Sequence, residues 1–140
     1  MSPVKSIESG TTLRNRLNRS IVLAIRTLIQ QASPDESSQD LAAYIVLALQ
    51  KIEESVDSSA AAWEKRDYWL KADRFRMDWQ WVGERRQSLT ASLHAADWQA
   101  IALDLAAIAT ALKDVEIRPN NRIGEPWHGA WQEFLKQNPN

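Results

Sequence analysis

Carboxylates supply the first spacing in this chain that could do chemistry. Glu54-x-x-Asp57 is followed by Glu64-x-x-Asp67, and acids at helical spacing suit an Mg²⁺-dependent all-α phosphohydrolase, because a hard cation needs several oxygen ligands converging on one cavity. The interval between the pairs is short. On one continuous helix they would stack along a rod instead of facing each other, and the adjacent Lys65 and Arg66 favour solvated ion pairs. His94 and His128 belong to no Glu-x-x-His or His-x-x-x-His pair, so neither a di-iron bundle nor a zinc-protease helix is built. With four scattered Gly and no Cys there is no phosphate loop, nucleophile elbow or thiolate site. No catalytic residue, metal ligand or cofactor is assigned.

Aromatic and basic residues carry more information. Between Trp63 and Trp81 the chain places four Trp, a Tyr and a Phe among five basic and four acidic residues, with no Gly or Pro. Large aromatics dominate cores, interface hot spots and base-stacking platforms. Trp63, Asp67, Leu70, Arg74, Met77 and Trp81 recur at three and four residues, which puts a polar pair, Asp67 and Arg74, inside an apolar stripe. Buried charge is costly unless paired, so the pair either fixes register in a helix interface or marks an exposed edge. Lys65, Trp69 and Arg76, with neighbouring Arg66, fall on the face that is left over. Such a set can stack a base and hold phosphate, or it is a Trp covered by the aliphatic stems of its neighbours.

The elements that must position these residues follow from hydrophobic periodicity. Residues 1–10 read as a loose leader, with Thr11 or Thr12 as a helix cap. Leu13, Leu17, Ile21, Ala24, Leu28 and Ala32 then define an amphipathic helix whose outer face carries Arg16, Arg19 and Arg26. Ser33-Pro34-Asp35-Glu36 resembles a capping box with Pro in the first turn, with Ser37 or Ser38 as competing starts. The second helix uses Leu41, Ile45, Leu49, Ile52 and Val56. It holds six acids and one Lys over residues 34–57, so antiparallel packing against the basic first helix is expected.

Asp57-Ser58-Ser59 resembles a cap, yet the stripe Val56, Ala60, Trp63 continues in phase, so a break and a continuous rod are both open there. A third helix over 58–95 carries a second stripe of Tyr68, Ala72, Phe75, Trp79, Val82, Leu89 and Leu93, which requires burial on two sides. Gly83 within it points to a bend or a close approach. Asp97 caps a fourth helix with Trp98, Ile101, Leu105, Ile108, Leu112 and Val115 in register and an Ala-lined back. After a loop over 118–126, Trp127, Trp131 and Phe134 or Leu135 mark a short docking helix. The expected domain is therefore all-α: a leader over 1–10, a four-helix bundle over 11–117 with a long Trp-rich third helix, and a loop plus short helix over 118–140.

A chain of 140 residues with 44% hydrophobic and 25% charged content suits one globular core. A net charge of −1 gives no global attraction to nucleic acid or acidic lipid, so any such binding must be local. No apolar run reaches the ~18 residues of a membrane span, and the N-terminus lacks a signal-like apolar core. A soluble, cytoplasmic protein is expected. The leading functional expectation is a non-enzymatic assembly subunit that contacts itself or another protein through Trp63, Asp67, Leu70, Arg74, Met77, Trp81, Trp127 and Trp131. The alternative is a small nucleic-acid-binding subunit using Arg16, Arg19, Arg26, Lys65, Arg66, Trp69 and Arg76.

Overall fold

The computed structural model describes residues 8–139. Among these the chain forms α1 (Gly10–Ile29), α2 (Glu36–Lys65), α3 (Trp69–Asp78), α4 (Gln80–His94), α5 (Trp98–Ala111) and α6 (Ala130–Gln137), with no strand. The all-α bundle expected from periodicity is present. Residues 1–7 of the expected leader lie outside the described residues; Ser9 and Gly10 already belong to the cap and first turn of α1.

Two caps sit earlier or later than the sequence suggests. Ser9, not Thr11 or Thr12, caps α1, its hydroxyl accepting from the Thr12 amide at 3.1 Å. Asp35 caps α2 in place of Ser33, Ser37 or Ser38. Its carboxylate accepts from the Ser37 and Ser38 amides at 2.9 and 3.2 Å, and the Ser38 hydroxyl returns a bond to the Asp35 amide at 2.9 Å. Pro34 thus precedes the cap instead of starting the helix. Asp97 caps α5 as expected, accepting from the Ala100 amide at 3.1 Å.

The 30 residues of α2 span about 45 Å at 1.5 Å per residue and form the axis of the molecule. Ala42, Ala43, Ile45, Val46, Ala48, Leu49, Ile52 and Ala60 are all buried, which requires neighbours on several sides; α1, α3, α4 and α6 supply them. Antiparallel α1 and α2 are tied near one end by Arg14 to Ser55, and farther along by the Tyr44 hydroxyl donating to Ser20 Oγ at 2.6 Å. α4 also packs on α2, with the Glu53 side chain reaching across beside Gly83. A Cβ there would stand 2.7 Å from Glu53 Oε1, and Glu53 pairs with Arg86 beside it. The neighbour at Gly83 is thus the end of a side chain, and no backbone of another helix stands within 4 Å of that position.

The long third helix expected over 58–95 is divided. The helix passes through Asp57-Ser58-Ser59 without a break and stops about two turns later instead, after Lys65. The Tyr68 amide donates to Trp63 O at 2.9 Å and the Asp67 amide to Glu64 O at 3.0 Å, while Asp67 takes a left-handed φ of 63°. That is the double bond of a Schellman stop, built on Asp, one of the few side chains that tolerate this backbone. A second interruption at Trp79, with φ −106° and ψ 5°, separates α3 from α4.

The C-terminal docking helix is held from outside its own sequence. Gly129 adopts φ 78° ahead of α6 and offers no side-chain cap; Asp40 of α2 accepts from the Trp131 amide at 2.9 Å instead. Phe134 is fully buried, Trp131 stacks on it with centroids 5.4 Å apart, and Trp127 packs edge-on against Tyr44.

Candidate interaction surface

The turn at Arg66–Tyr68 decides where the Trp-rich segment points. Trp63 ends α2 half-buried, edge-on to Phe75 with centroids 4.8 Å apart and with Lys71 Nζ 4.6 Å from its ring centre. Past the turn, α3 is anchored by the buried Ala72 and by Phe75, which also packs on Trp79. Its other side faces solvent: Leu70 is 65% and Met77 70% exposed, flanked by Tyr68 at 50% and Trp69 at 57%. Four of the seven large hydrophobic side chains that stand exposed among the described residues fall within 68–77, so this is the main apolar surface. Trp63, Tyr68, Trp69, Leu70, Arg74 and Phe75 line one shallow groove.

The structure keeps only part of the expected interface. Trp63, Leu70, Arg74 and Met77 belong to the α3 region, but Asp67 sits in the turn and Arg74 on the exposed helix, and the two form no ion pair. The single helix expected to align them is absent, because α2 ends at Lys65 and Asp67 lies in the turn before α3 begins. Trp81 is half-buried against the core. Trp127, at 4% exposure, lies inside the core of the chain and offers no face to a partner, whereas Trp131 is half-buried with one face stacked on Phe134.

Nor do the basic residues form one track. Arg76 turns back to Glu64 at 2.8 Å, with Asp57 at 3.9 Å, and the Glu64 hydrogen bond holds its pKa above the ordinary value. Arg66 lies over the Tyr68 ring, Lys65 is exposed at the end of α2, and Arg26 is exposed on the last turns of α1. Trp69 stands at the α3 groove, whereas Arg16 and Arg19 line a different one together with Arg118 and Arg122 of the 112–129 connection. The four acids expected to array around a metal do not converge: Glu64 and Asp57 meet on Arg76, Glu54 is solvent-exposed, and Asp67 makes the turn. Among the described residues no three metal-ligating side chains cluster.

Sequence reasoning missed Arg14, which lies beside the α1 stripe and reads as surface. It is only 6% exposed. Its Nη1 donates to Ser55 Oγ at 2.8 Å and Ser59 Oγ at 3.1 Å, and its guanidinium carbon sits 4.9 Å from the Phe75 centroid and 5.6 Å from that of Trp79. Burial lowers its pKa, although an Arg stays charged at any ordinary pH. This one side chain joins α1, α2 and the α3–α4 junction. Asp104, also buried, was missed too; it accepts from Ser88 and Ser92 at 2.6 and 2.9 Å and ties α5 to α4. No sequence signal separates either residue from its exposed neighbours.

An apolar cleft of about 300 Å³ opens between the end of α1 and α5, lined by Ile25, Leu28, Trp98, Ile101 and Leu105. No helix among the described residues is long and apolar enough to cross a membrane. Comparison with known protein families, characterised proteins and solved structures finds no match to this chain.

Proposed function

We propose that this chain is a non-enzymatic assembly subunit that pairs with a second copy of itself through the outer face of α3. The outward placement of Leu70 and Met77, on a helix whose inner contacts are already met by Ala72 and Phe75, carries the reading. Leu70, Asp73, Arg74 and Met77 share one helical face at spacings of three and four. In an antiparallel pairing about a two-fold axis between Asp73 and Arg74, Leu70 meets Met77 of the second copy and Asp73 meets Arg74. Each contact then occurs twice, as a self-complementary interface requires. Neither Asp73 nor Arg74 has an ion-pair partner among the described residues, which leaves both groups available.

One ten-residue helix makes a small interface, so an equilibrium in the range of about 1–100 μM is expected, in keeping with weak complexes of low buried area. Sedimentation across that range tests it. Asp73→Arg or Arg74→Asp alone sets like charges together and should raise the dissociation constant about tenfold; the two changes combined should restore pairing. A chain that stays monomeric throughout, or a double variant no better than the singles, refutes the proposal. A cytoplasmic setting accords with the cysteine-free composition and is checked by cell fractionation.

A further inference from the structure

We propose that the groove between α1 and the 112–129 connection binds a compact polyphosphate anion, independently of the α3 pairing. Arg16 and Arg19 of α1 and Arg118 and Arg122 of the connection line a groove of about 830 Å³ whose floor includes Ser20 and Tyr44. In a chain of net charge −1, four arginines line it with a single carboxylate, Glu116, while Glu8 pairs with Arg16 from outside the groove. Arg19, Arg118 and Arg122 make no side-chain hydrogen bond or ion pair among the described residues, so their donors are left for solvent or a ligand.

Arg16 already displays the recognition chemistry. Its Nε and Nη2 donate to the two oxygens of Glu8 at 3.0 and 3.1 Å, the fork geometry by which guanidinium holds carboxylate or phosphate. Glu8 is not itself part of the groove lining, but it holds the Arg16 fork as an internal oxyanion with which a phosphate would compete. The opposing wall is set in advance: the Asn121 side chain donates to Arg118 O at 2.8 Å and accepts from the Ile123 amide at 3.0 Å, while the connection runs into the buried Trp127. The positions of Arg118 and Arg122 are therefore fixed by the loop backbone.

The groove favours phosphate over a base-bearing strand. Its one aromatic, Tyr44, is half-buried with its hydroxyl committed to Ser20, so no exposed ring is available for stacking. Lys65, Arg66 and Trp69, which could extend a strand path, are not part of it. Several phosphate oxygens on a short ligand match several forks in one depression.

Calorimetric titration of the full chain with inorganic pyrophosphate, without added metal, tests the assignment. One-to-one binding is expected, tighter than for orthophosphate and weaker as salt rises from about 20 to 150 mM. Arg19→Gln and Arg118→Gln should each weaken it about tenfold, the value of one charge-assisted contact, with helicity unchanged because these side chains reach solvent. Glu8→Gln should tighten it by freeing Arg16. Absence of binding at low salt, or binding that both Arg variants leave unaltered, overturns the proposal. A single-stranded oligonucleotide that binds through Arg19 and Arg118 where pyrophosphate does not would also overturn it, in favour of a nucleic-acid strand.

Discussion

Replacing Arg14 tests the packing logic of the whole molecule, because its charge is buried with no carboxylate among the described residues to neutralise it. Arg14→Ala removes hydrogen bonds to Ser55 and Ser59 and two ring contacts. A bond from a charged donor contributes about 1.5–3 kcal/mol and a cation–π contact about 0.5–2 kcal/mol. The lost side chain also leaves a void between α1, α2 and α3. Against these stands the relief of desolvation, so a net loss of about 2–4 kcal/mol is expected, at the high end for single substitutions. Arg14→Met separates the components. It keeps an apolar stem over Phe75 and Trp79, removes the buried charge, and leaves two hydroxyls that can turn to helix carbonyls of their own. Removing a buried charge altogether is often close to neutral, so Met should cost about 1 kcal/mol or less. Urea unfolding followed by Trp fluorescence measures both. An Ala variant within ~0.5 kcal/mol of the parent, the usual span of surface changes, would show that the clasp does not hold the helices. A Met variant that loses as much stability as Ala would show that the guanidinium and its hydrogen bonds, not the apolar stem, are what stabilises.

Other expectations follow from local geometry. Ala96 holds φ 52° at the end of α4, where the Asp97 amide donates to Ser92 O at 3.1 Å; Ala96→Gly should stabilise by about 0.5–1 kcal/mol, the left-handed cost less the entropy of Gly, read by chemical denaturation. Asp40→Ala removes the carboxylate that accepts from the Trp131 amide and should loosen α6 by about 1 kcal/mol, seen as faster amide exchange there with α1 and α2 unchanged. The Ser37 hydroxyl, and then the Ser38 amide, hold the Asp35 carboxyl below its ordinary pKa. A lowered carboxyl favours the folded helix above the ordinary carboxylate range and loses that contribution as pH falls through the lowered value. The helicity gap between parent and Asp35→Ala, followed by circular dichroism, should therefore hold at neutral pH and close in acid; a gap independent of pH would refute the assignment.

Periodicity located the helical faces well because burial leaves a direct trace in residue type. Leu17, Ile21 and Ala24, the α2 stripe, and Ile101, Leu105, Ile108 and Leu112 are buried where three-four spacing puts them. Helix ends were less legible, since several residues can serve as a cap and backbone context chooses among Ser9, Thr11 and Thr12. The buried Arg14 could not be read at all. Its burial depends on Ser55, Ser59, Phe75 and Trp79, more than forty positions away along the chain, and helix periodicity reports only neighbours one or two turns off. The arginine groove has the same character, joining residues 16 and 19 to 118 and 122.

The stop at Asp67 was hidden for a different reason, and it bears most on function. A Schellman end is usually marked by Gly, and here Asp holds the left-handed position within a stretch whose apolar phase continues unbroken. The stripe therefore reads as one helix buried on two sides, although only the part before the turn is packed as a core helix. Beyond it the same spacing persists on a helix that has changed direction, so Leu70 and Met77 leave the core while Ala72 and Phe75 enter it. A surplus of apolar face argued from sequence for a partner or a central helix; the turn divides that surplus between α2, which becomes central, and α3, which exposes the rest. Were α2 and α3 fused through residues 66–68, the proposed pairing face would lose its orientation without losing one apolar side chain. The turn, as much as the composition of α3, makes that face accessible.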